Sequence, residues 1–182
     1  MINMISRDNG ILDLITKRQS CRAYSGQKVE LEKLKLILEA GRLSPSARNS
    51  QPWSLTLAYS DLSVEQVGKC TRANGKNAFT DKCSAFIIVT EEQNEAAFGG
   101  VAHRSFAEMD IGMCVMNICL EAESLGVACC ILGAFDEEAV KSSAGIPDEK
   151  CVKLIVAIGY PEDGYSTRDK NRRSYDDCVR II

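Results

Sequence analysis

The amino-acid sequence predicts an α/β protein built as a three-layer α/β/α sandwich, with helices on both faces of one central sheet. Segments with helical periodicity alternate along the chain with short apolar segments that are typical of buried strands. A chain of 182 residues is long enough to bury one core. No repeat, linker or low-complexity segment divides it, so we expect residues 1–182 to form one domain.

Two helices are predicted before the first strand. Asp8 or Asn9 can cap the first, because either side chain can accept a hydrogen bond from the first turn. The second is predicted over residues 29–43, VELEKLKLILEAGRL, where charged residues occupy one side. Its apolar side is predicted to consist of Leu31, Leu34 and Leu38.

The sheet is predicted from the segments that follow. Alternating or continuous apolar character predicts strands over residues 54–59, 84–90, 127–135 and 152–160. A short helix is predicted around residues 64–72, and Asp136 can cap another helix between the last two strands. The tail is polar, basic in its middle, and ends in a strand-like run.

The longest predicted helix runs from about Ser105 to Leu125. Its middle, IGMCVMNICL, is apolar on nearly every side, so every side has to be buried. In a domain this small, we interpret that as burial against a second subunit.

Composition and charge exclude several classes of protein. Hydrophobic residues make up 45% of the chain and charged residues 26%, which disfavours disorder. A net charge of −3 and a pI near 5.3 disfavour nucleic-acid binding. The N-terminal residues lack the pattern of a signal peptide, and no apolar stretch is long enough for a membrane span. We therefore expect a cytoplasmic protein without nucleic-acid or membrane partners.

The cysteines and the histidine do not form a recognisable metal site. Nine cysteines lie along the chain without a C-x-x-C pair, and His103 is the single histidine. Reduced cysteines that pack as small apolar residues are the favoured interpretation. Cys21, which stands near two arginines, is the one candidate for a reactive thiol.

Two basic clusters are candidates for anion binding. In KRQSCRAY, residues 17–24, Arg18, Ser20 and Arg22 alternate, so an extended backbone points all three side chains the same way. Two guanidinium groups and a hydroxyl suit a phosphate, although basic residues at a helix end also complement the helix dipole. The second cluster, in RDKNRRSY, contains Lys170, Arg172 and Arg173.

Chemistry from side chains alone is not predicted. The sequence contains no glycine-rich phosphate loop and no Ser-His-Asp set, so a bound cofactor would have to supply the chemistry. The loop SPSARNSQPW, residues 44–53, holds two prolines, several polar residues and the only tryptophan. Either the tryptophan anchors a tight turn, or the loop is shaped around a ligand.

KRQSCRAY followed by SPSARNSQPW resembles the FMN-dependent nitroreductase family. MDIGMCVMNICLEAESLGVACCILGAF is similar to that family's central helix and following strand, and VAIGYP and KNRRSYDDCV to its last core strand and basic C-terminal segment. The resemblance extends from about Leu12 to the end of the chain. It implies a nitroreductase-type sandwich with a mostly antiparallel sheet, and a homodimer that exchanges a C-terminal extension, about residues 161–182.

The resemblance implies an FMN site shared between the two subunits. Arg18 and Ser20 match positions at the phosphate and ribityl chain, and Arg22 matches the basic position at the flavin pyrimidine edge. The remaining contacts implied within one subunit are Gln19, the turn Leu132, Gly133 and Ala134 beside flavin N5, and the phosphate-binding pair Lys170 and Arg172.

The contacts implied to reach the flavin of the other subunit come from the 44–53 loop: Pro45, Ser46 and Asn49, with Gln51 as a further candidate. One more flavin contact is open among Asn74, Lys76 and Asn77 in RANGKNAF. The segment EEQNEAAFGGVAHRS, residues 91–105, is short where larger relatives cover their substrate.

The resemblance implies that NADH or NADPH delivers hydride to flavin N5 and that a nitroaromatic, quinone or similar small molecule then accepts the electrons. One place would serve both substrates in a ping-pong sequence, and no side chain would act as acid or base. The alternatives are a dehalogenase-like or flavin-consuming relative on the same fold, a flavin-storage module without turnover, and a cysteine-based redox sensor.

Overall fold

Four strands form the sheet in residues 10–92 and 104–182, the part of the chain that the computed structural model describes. They are β1 (Trp53–Ala58), β2 (Ala85–Glu91), β3 (Ala128–Leu132) and β4 (Cys151–Gly159). Their order is β1-β2-β4-β3, and each neighbouring pair is antiparallel. The helices are α1 (Gly10–Lys17), α2 (Leu31–Arg42), α3 (Asp61–Thr71), α4 (Arg104–Ser124), α5 (Glu137–Ala144) and α6 (Tyr175–Cys178).

Strand β2 shows why a continuous apolar segment lies at the centre of the sheet. Successive side chains of a strand point to opposite faces, so Phe86 and Ile88 enter one core cluster and Ile87 and Val89 enter the other. All four side chains are fully buried. Because both faces are covered, the predicted three-layer sandwich with its antiparallel sheet is confirmed.

Helices α2 and α4 form one outer layer and approach each other closely at Gly41. A Cβ at this position would lie 2.8 Å from Ile118 Cγ1, so only glycine permits the approach. The buried side of α2 is formed by Leu34, Ile37 and Gly41. The prediction that Leu31 belongs to it is wrong: Leu31 lies to one side of this stripe and is 38% exposed.

Helices α3 and α5 form the opposite layer, and each begins at a capping side chain. Ser60 Oγ accepts a hydrogen bond from Ser63 N at 3.2 Å, and Asp136 Oδ1 accepts one from Ala139 N at 3.1 Å. Each such cap stabilises a helix by about 1 kcal/mol. The predicted Asp136 cap is confirmed, and α3 starts at Asp61, earlier than predicted, because Ser60 provides its cap.

Helix α4 confirms the predicted long helix, and one side of it stays uncovered in a single chain. Cys114, Ile118 and Cys119 are buried in the core beneath it. Large apolar side chains on its outer side are at least 38% exposed: Phe106, Met109, Met113 and Met116. Among the described residues, no helix is both long and apolar enough to cross a membrane.

The remaining predictions concern the residues before α1, His103 and the C-terminal segment. Asp8 and Asn9, the predicted caps of α1, lie outside the described residues, as does His103. Near the C-terminus Ser174 Oγ accepts a hydrogen bond from Asp177 N at 3.2 Å and caps α6, which the sequence did not predict. Ile181 and Ile182 follow as exposed residues. Exchange of this segment between subunits stays a prediction.

Candidate functional site

The segment from Arg18 to Arg22 lies in extended form alongside β3. Ser20 pairs in parallel with Cys129, and Cys21 N donates a hydrogen bond to Cys129 O at 2.9 Å. Cys21 is fully buried, whereas Arg18, Ser20 and Arg22 all line a cavity of about 370 Å³. The alternation in the sequence thus places these three side chains together, as its spacing predicts.

The C-terminal segment forms the other wall of this cavity, which we call the basic cavity. Its lining residues are Arg18, Gln19, Ser20, Arg22, Arg168, Asp169, Lys170, Asn171 and Arg172. The structure therefore brings the two basic clusters to one place, although some 150 residues of chain separate them. Five cationic side chains face one carboxylate there, which makes the cavity a strong candidate for binding an anion.

Gln19 and Tyr165 fasten the two walls together. The side-chain amide of Gln19 donates to Ser166 O at 3.0 Å and accepts a hydrogen bond from Arg168 N at 3.1 Å. Tyr165 Oη accepts from Arg22 N at 3.1 Å. The Gln19 side chain thus contacts the C-terminal segment, and whether it also contacts a cofactor stays a prediction.

Lys170 lies at the C-terminal end of α1. Its ammonium group donates to Ile15 O at 3.1 Å, to Arg18 O at 2.6 Å, and to Thr16 O. Cations at this end of a helix are stabilised by its dipole and unpaired carbonyls. Partial burial, together with the nearby Arg18 and Arg172 charges, lowers the pKa of Lys170.

The turn after β3 is held by Asn77. Asn77 Nδ2 donates to Ala134 O at 2.7 Å and to Thr71 O at 3.0 Å. Leu132 is buried at the end of β3, whereas Gly133 is exposed. Because the Arg18–Arg22 segment runs parallel to β3, this turn lies at the Arg22 end of the basic cavity.

Asn74, Lys76 and Asn77, the three candidates for one further flavin contact, differ in their surroundings. The side chain of Asn77 holds the turn after β3, and Lys76 is exposed. The side chain of Asn74 lies outside the described residues. The structure thus gives Asn77 a structural contact beside the turn, without testing which of the three contacts a cofactor.

The 44–53 loop has an unusual backbone. Arg48, Asn49 and Gln51 have φ values of 53°, 56° and 47°, in the left-handed region that residues other than glycine rarely adopt. Such residues cost about 1 kcal/mol or more each, so the surroundings have to hold them. Ser46 Oγ accepts from Gln51 N at 2.9 Å, and Asp110 Oδ2 of α4 accepts from Ala47 N at 3.1 Å.

This loop does not line the basic cavity of its own chain. Asn49 and Gln51 instead line a separate cavity of about 700 Å³ between α2 and β1. Ser50 also lines it, and its Oγ is buried without a hydrogen-bond partner in the described part of the chain. Pro45 and Ser46 lie at the start of the loop, on the α4 side. A single chain thus leaves the predicted site in two separate parts.

The structure disfavours Cys21, the predicted candidate for a reactive thiol. Burial raises the pKa of the Cys21 thiol, whose Sγ donates to Ala23 O at 3.2 Å, so this thiol stays protonated near neutral pH. All nine cysteines are free thiols. In residues 10–92 and 104–182 no cluster of metal-ligating side chains is found.

Sequence reasoning missed three residues of this region. Arg168 lines the basic cavity, Tyr165 supports its Arg22 wall, and Asp110 holds the strained loop. The sequence could have indicated Arg168, because it is the first residue of the basic segment RDKNRRSY. Tyr165 and Asp110 act through contacts far apart in the sequence, and their spacing gives no signal.

Comparisons with known proteins agree with this architecture. The Nitroreductase family profile matches residues 15–160. A relative from Archaeoglobus fulgidus, whose name as an NADH dehydrogenase/NAD(P)H nitroreductase is itself provisional, is 30% identical over 156 residues. That match covers 84% of this chain and 86% of the relative.

Two further matches cover nearly the whole chain. The major NAD(P)H-flavin oxidoreductase of Aliivibrio fischeri is 24% identical over 214 residues, covering 94% of this chain and 98% of that protein. The crystal structure of a nitroreductase with bound FMN from Bacteroides fragilis has the same fold, with a TM-score of 0.74 and 23% identity over 96% of this chain and 99% of that one. The family match over most of its length shows that this chain belongs to the nitroreductase family.

Proposed function

We propose that this protein is an FMN-dependent NAD(P)H oxidoreductase that works as a homodimer. The observation that carries the proposal is the convergence of Arg18, Ser20 and Arg22 with the C-terminal cations on one cavity, beside the turn that ends β3. The names of the Aliivibrio relative and of the Bacteroides structure, one a flavin oxidoreductase and the other with bound FMN, support this cofactor.

The residues of the basic cavity fit the chemistry of FMN. Arg18, Ser20 and Arg172 offer guanidinium and hydroxyl donors for a phosphate. Arg22 lies next along the extended segment, where its charge would stabilise negative charge on a reduced ring. Leu132, Gly133 and Ala134 would present their backbone to the ring, and Asn77 holds that turn in place.

FMN held by these residues would supply the redox chemistry at its N5, for hydride transfer from NADH or NADPH to a nitroaromatic, quinone or similar acceptor. The chain contributes binding, orientation and positive charge.

A homodimer would join the two separate parts of the site. Helix α4 exposes a row of methionines, and α1 exposes Ile11, Leu12 and Ile15, so both offer apolar surface to a second copy. Strand β1 is an edge strand beside the 700 Å³ cavity, which could receive the exposed C-terminal residues of the partner. The strained loop, with Pro45, Ser46, Asn49 and Gln51, would then reach the flavin of the other subunit.

Steady-state kinetics tests the proposed activity. With FMN present, we expect consumption of NADH or NADPH to depend on an added quinone or nitroaromatic acceptor, with parallel-line ping-pong kinetics. Arg22→Ala should bind FMN more weakly and lower the reduction potential of the bound FMN. Arg22→Lys should have a smaller effect on both the affinity and the potential, because it keeps the positive charge. Tight FMN binding without turnover would contradict an oxidoreductase and support a storage module.

A further inference from the structure

We propose that Arg168 is an additional phosphate-binding residue and that Gln19 is the residue that positions its guanidinium group. This inference rests on the proposed function, because it assigns these roles toward the phosphate of FMN. It also changes the role predicted for Gln19, which would act through Arg168 and not by contacting the cofactor.

The contacts of Arg168 fix both its backbone and its side chain. Gln19 Oε1 accepts from Arg168 N at 3.1 Å and from Arg168 Nε at 3.2 Å. Arg168 Nη2 donates to Ser20 O at 2.8 Å. The guanidinium group is therefore held from two sides along the same extended segment that carries Arg18, Ser20 and Arg22.

The guanidinium group keeps donors for a ligand. A guanidinium has five N–H donors, and the contacts to Gln19 and Ser20 use two of them. Because the side chain is already oriented, its guanidinium group would lose little further conformational entropy when a phosphate binds in the basic cavity.

Lys170 makes the case for Arg168 stronger. An ammonium group has three N–H donors, and Lys170 donates to three backbone carbonyls, those of Ile15, Thr16 and Arg18. Its charge faces the cavity, but in this structure its donors are all engaged at the end of α1. Arg168 therefore has N–H donors left for a phosphate bound in the cavity, whereas Lys170 does not.

Gln19 is suited to positioning because its amide contacts two parts of the same segment. Its Oε1 accepts from Arg168, and its Nε2 donates to Ser166 O at 3.0 Å. Loss of the amide would leave the Arg168 charge in place but remove one of the two contacts that orient it. The predicted consequence is a weaker phosphate contact, with no direct effect on the flavin ring.

Comparison of FMN with riboflavin tests the Arg168 assignment, since riboflavin lacks the phosphate. We expect Arg168→Gln to weaken FMN binding about 10- to 100-fold, the value of a charged hydrogen bond, and to leave riboflavin binding unchanged. Arg168→Lys should give an intermediate result, because it keeps the charge without the fork. Lys69→Gln, at an exposed position of α3 paired with Glu65, is a charge-matched control that should bind both FMN and riboflavin as wild type does.

The outcomes separate the two proposals. Wild-type protein that binds no FMN would overturn the proposed function. Wild-type binding with Arg168→Gln unchanged, or with FMN and riboflavin weakened equally, would overturn the role of Arg168 while the proposed function stands. Riboflavin binding by each variant also shows that it is folded.

A double-mutant cycle tests the positioning role of Gln19. Gln19→Leu should weaken FMN but not riboflavin, and adding it to Arg168→Gln should cause little further loss, because Gln19 acts through Arg168. Additive losses of FMN affinity, or a loss of riboflavin affinity in Gln19→Leu alone, would identify Gln19 as an independent contact and contradict positioning.

Discussion

Lys170 Nζ donates to the backbone oxygen of Arg18 at 2.6 Å, which fastens the C-terminal segment to the end of α1. Replacing Lys170 with Met should lower the free energy of unfolding by about 0.5–1 kcal/mol, because the last carbonyls of α1 lose their hydrogen-bond donor. FMN affinity should fall as well, since the wall that carries Arg168 and Arg172 loses its anchor. Chemical denaturation and FMN titration measure both.

Lys82→Met is the control for this variant, because Lys82 pairs with Glu162 at the surface, at 3.2 Å. It should leave FMN affinity at the wild-type value. If Lys170→Met also binds FMN as wild type does, Lys170 does not anchor the C-terminal wall of the phosphate site.

Asp110 holds the strained loop through Ala47 N, at 3.1 Å. Asp110→Leu should lower the free energy of unfolding by about 1–3 kcal/mol, because it leaves a partly buried N–H without its acceptor. It should also weaken FMN binding if the loop reaches the flavin of the partner. Asp110→Asn keeps an oxygen acceptor of nearly the same shape and should have a smaller effect on both quantities; equal effects would show that the hydrogen bond is not what holds the loop.

Asn77 connects the turn after β3 to the end of α3. Asn77→Gly suits the left-handed backbone at this position, φ 47°, while removing both side-chain hydrogen bonds. Stability should fall by about 1–2 kcal/mol. The rate at which NADPH reduces the bound flavin should fall on the order of tenfold, because the turn beside N5 is less well placed. Stopped-flow absorbance measures the rate, and Lys69→Gln, at an exposed position paired with Glu65, should react at the wild-type rate.

Cys114 predicts how stability depends on pH. Burial raises the pKa of its thiol from 9.0 to about 12, so the folded protein keeps this proton at pH values where the unfolded chain loses it. The stability that Cys114 contributes is therefore complete below pH 9 and is lost as the pH rises from about 9 to about 12.

Cys114→Ala should remove this contribution. Between pH 9 and 12, its free energy of unfolding should decline less steeply with pH than that of the wild type, by up to about 1.4 kcal/mol per pH unit. Val115→Ala, which removes a buried side chain without a titrating group from the same helix, should keep the wild-type slope. Parallel slopes for wild type and Cys114→Ala would show that this thiol is not protected by burial.

Local periodicity predicted most of the fold. The apolar segment around Phe86 gave a central strand, Asp136 gave a cap, and the long apolar run gave α4, because each of these depends on near neighbours in the chain. The assignment of Leu31 to the core was wrong, because the close approach at Gly41 sets which side of α2 faces α4. Sequence spacing alone does not contain that approach.

For the candidate site too, local patterns were predictable from the sequence and contacts between distant residues were not. The alternation of Arg18, Ser20 and Arg22 is local and indicated one wall of the cavity. The bonds from Gln19 to Arg168 and from Lys170 to the end of α1 join residues about 150 positions apart, so no local pattern indicates which donors are already engaged. The strain at Arg48, Asn49 and Gln51 was likewise hidden, since none of these is a glycine.

The most direct test of the central claim is the absorbance spectrum of the purified protein with FMN, recorded without oxygen before and after addition of NADPH or NADH. The account predicts two flavin bands, in the near ultraviolet and the blue, that shift on binding and are bleached by the reduced nicotinamide. A protein that neither perturbs the spectrum of added FMN nor promotes its bleaching would contradict a flavin site at the basic cavity.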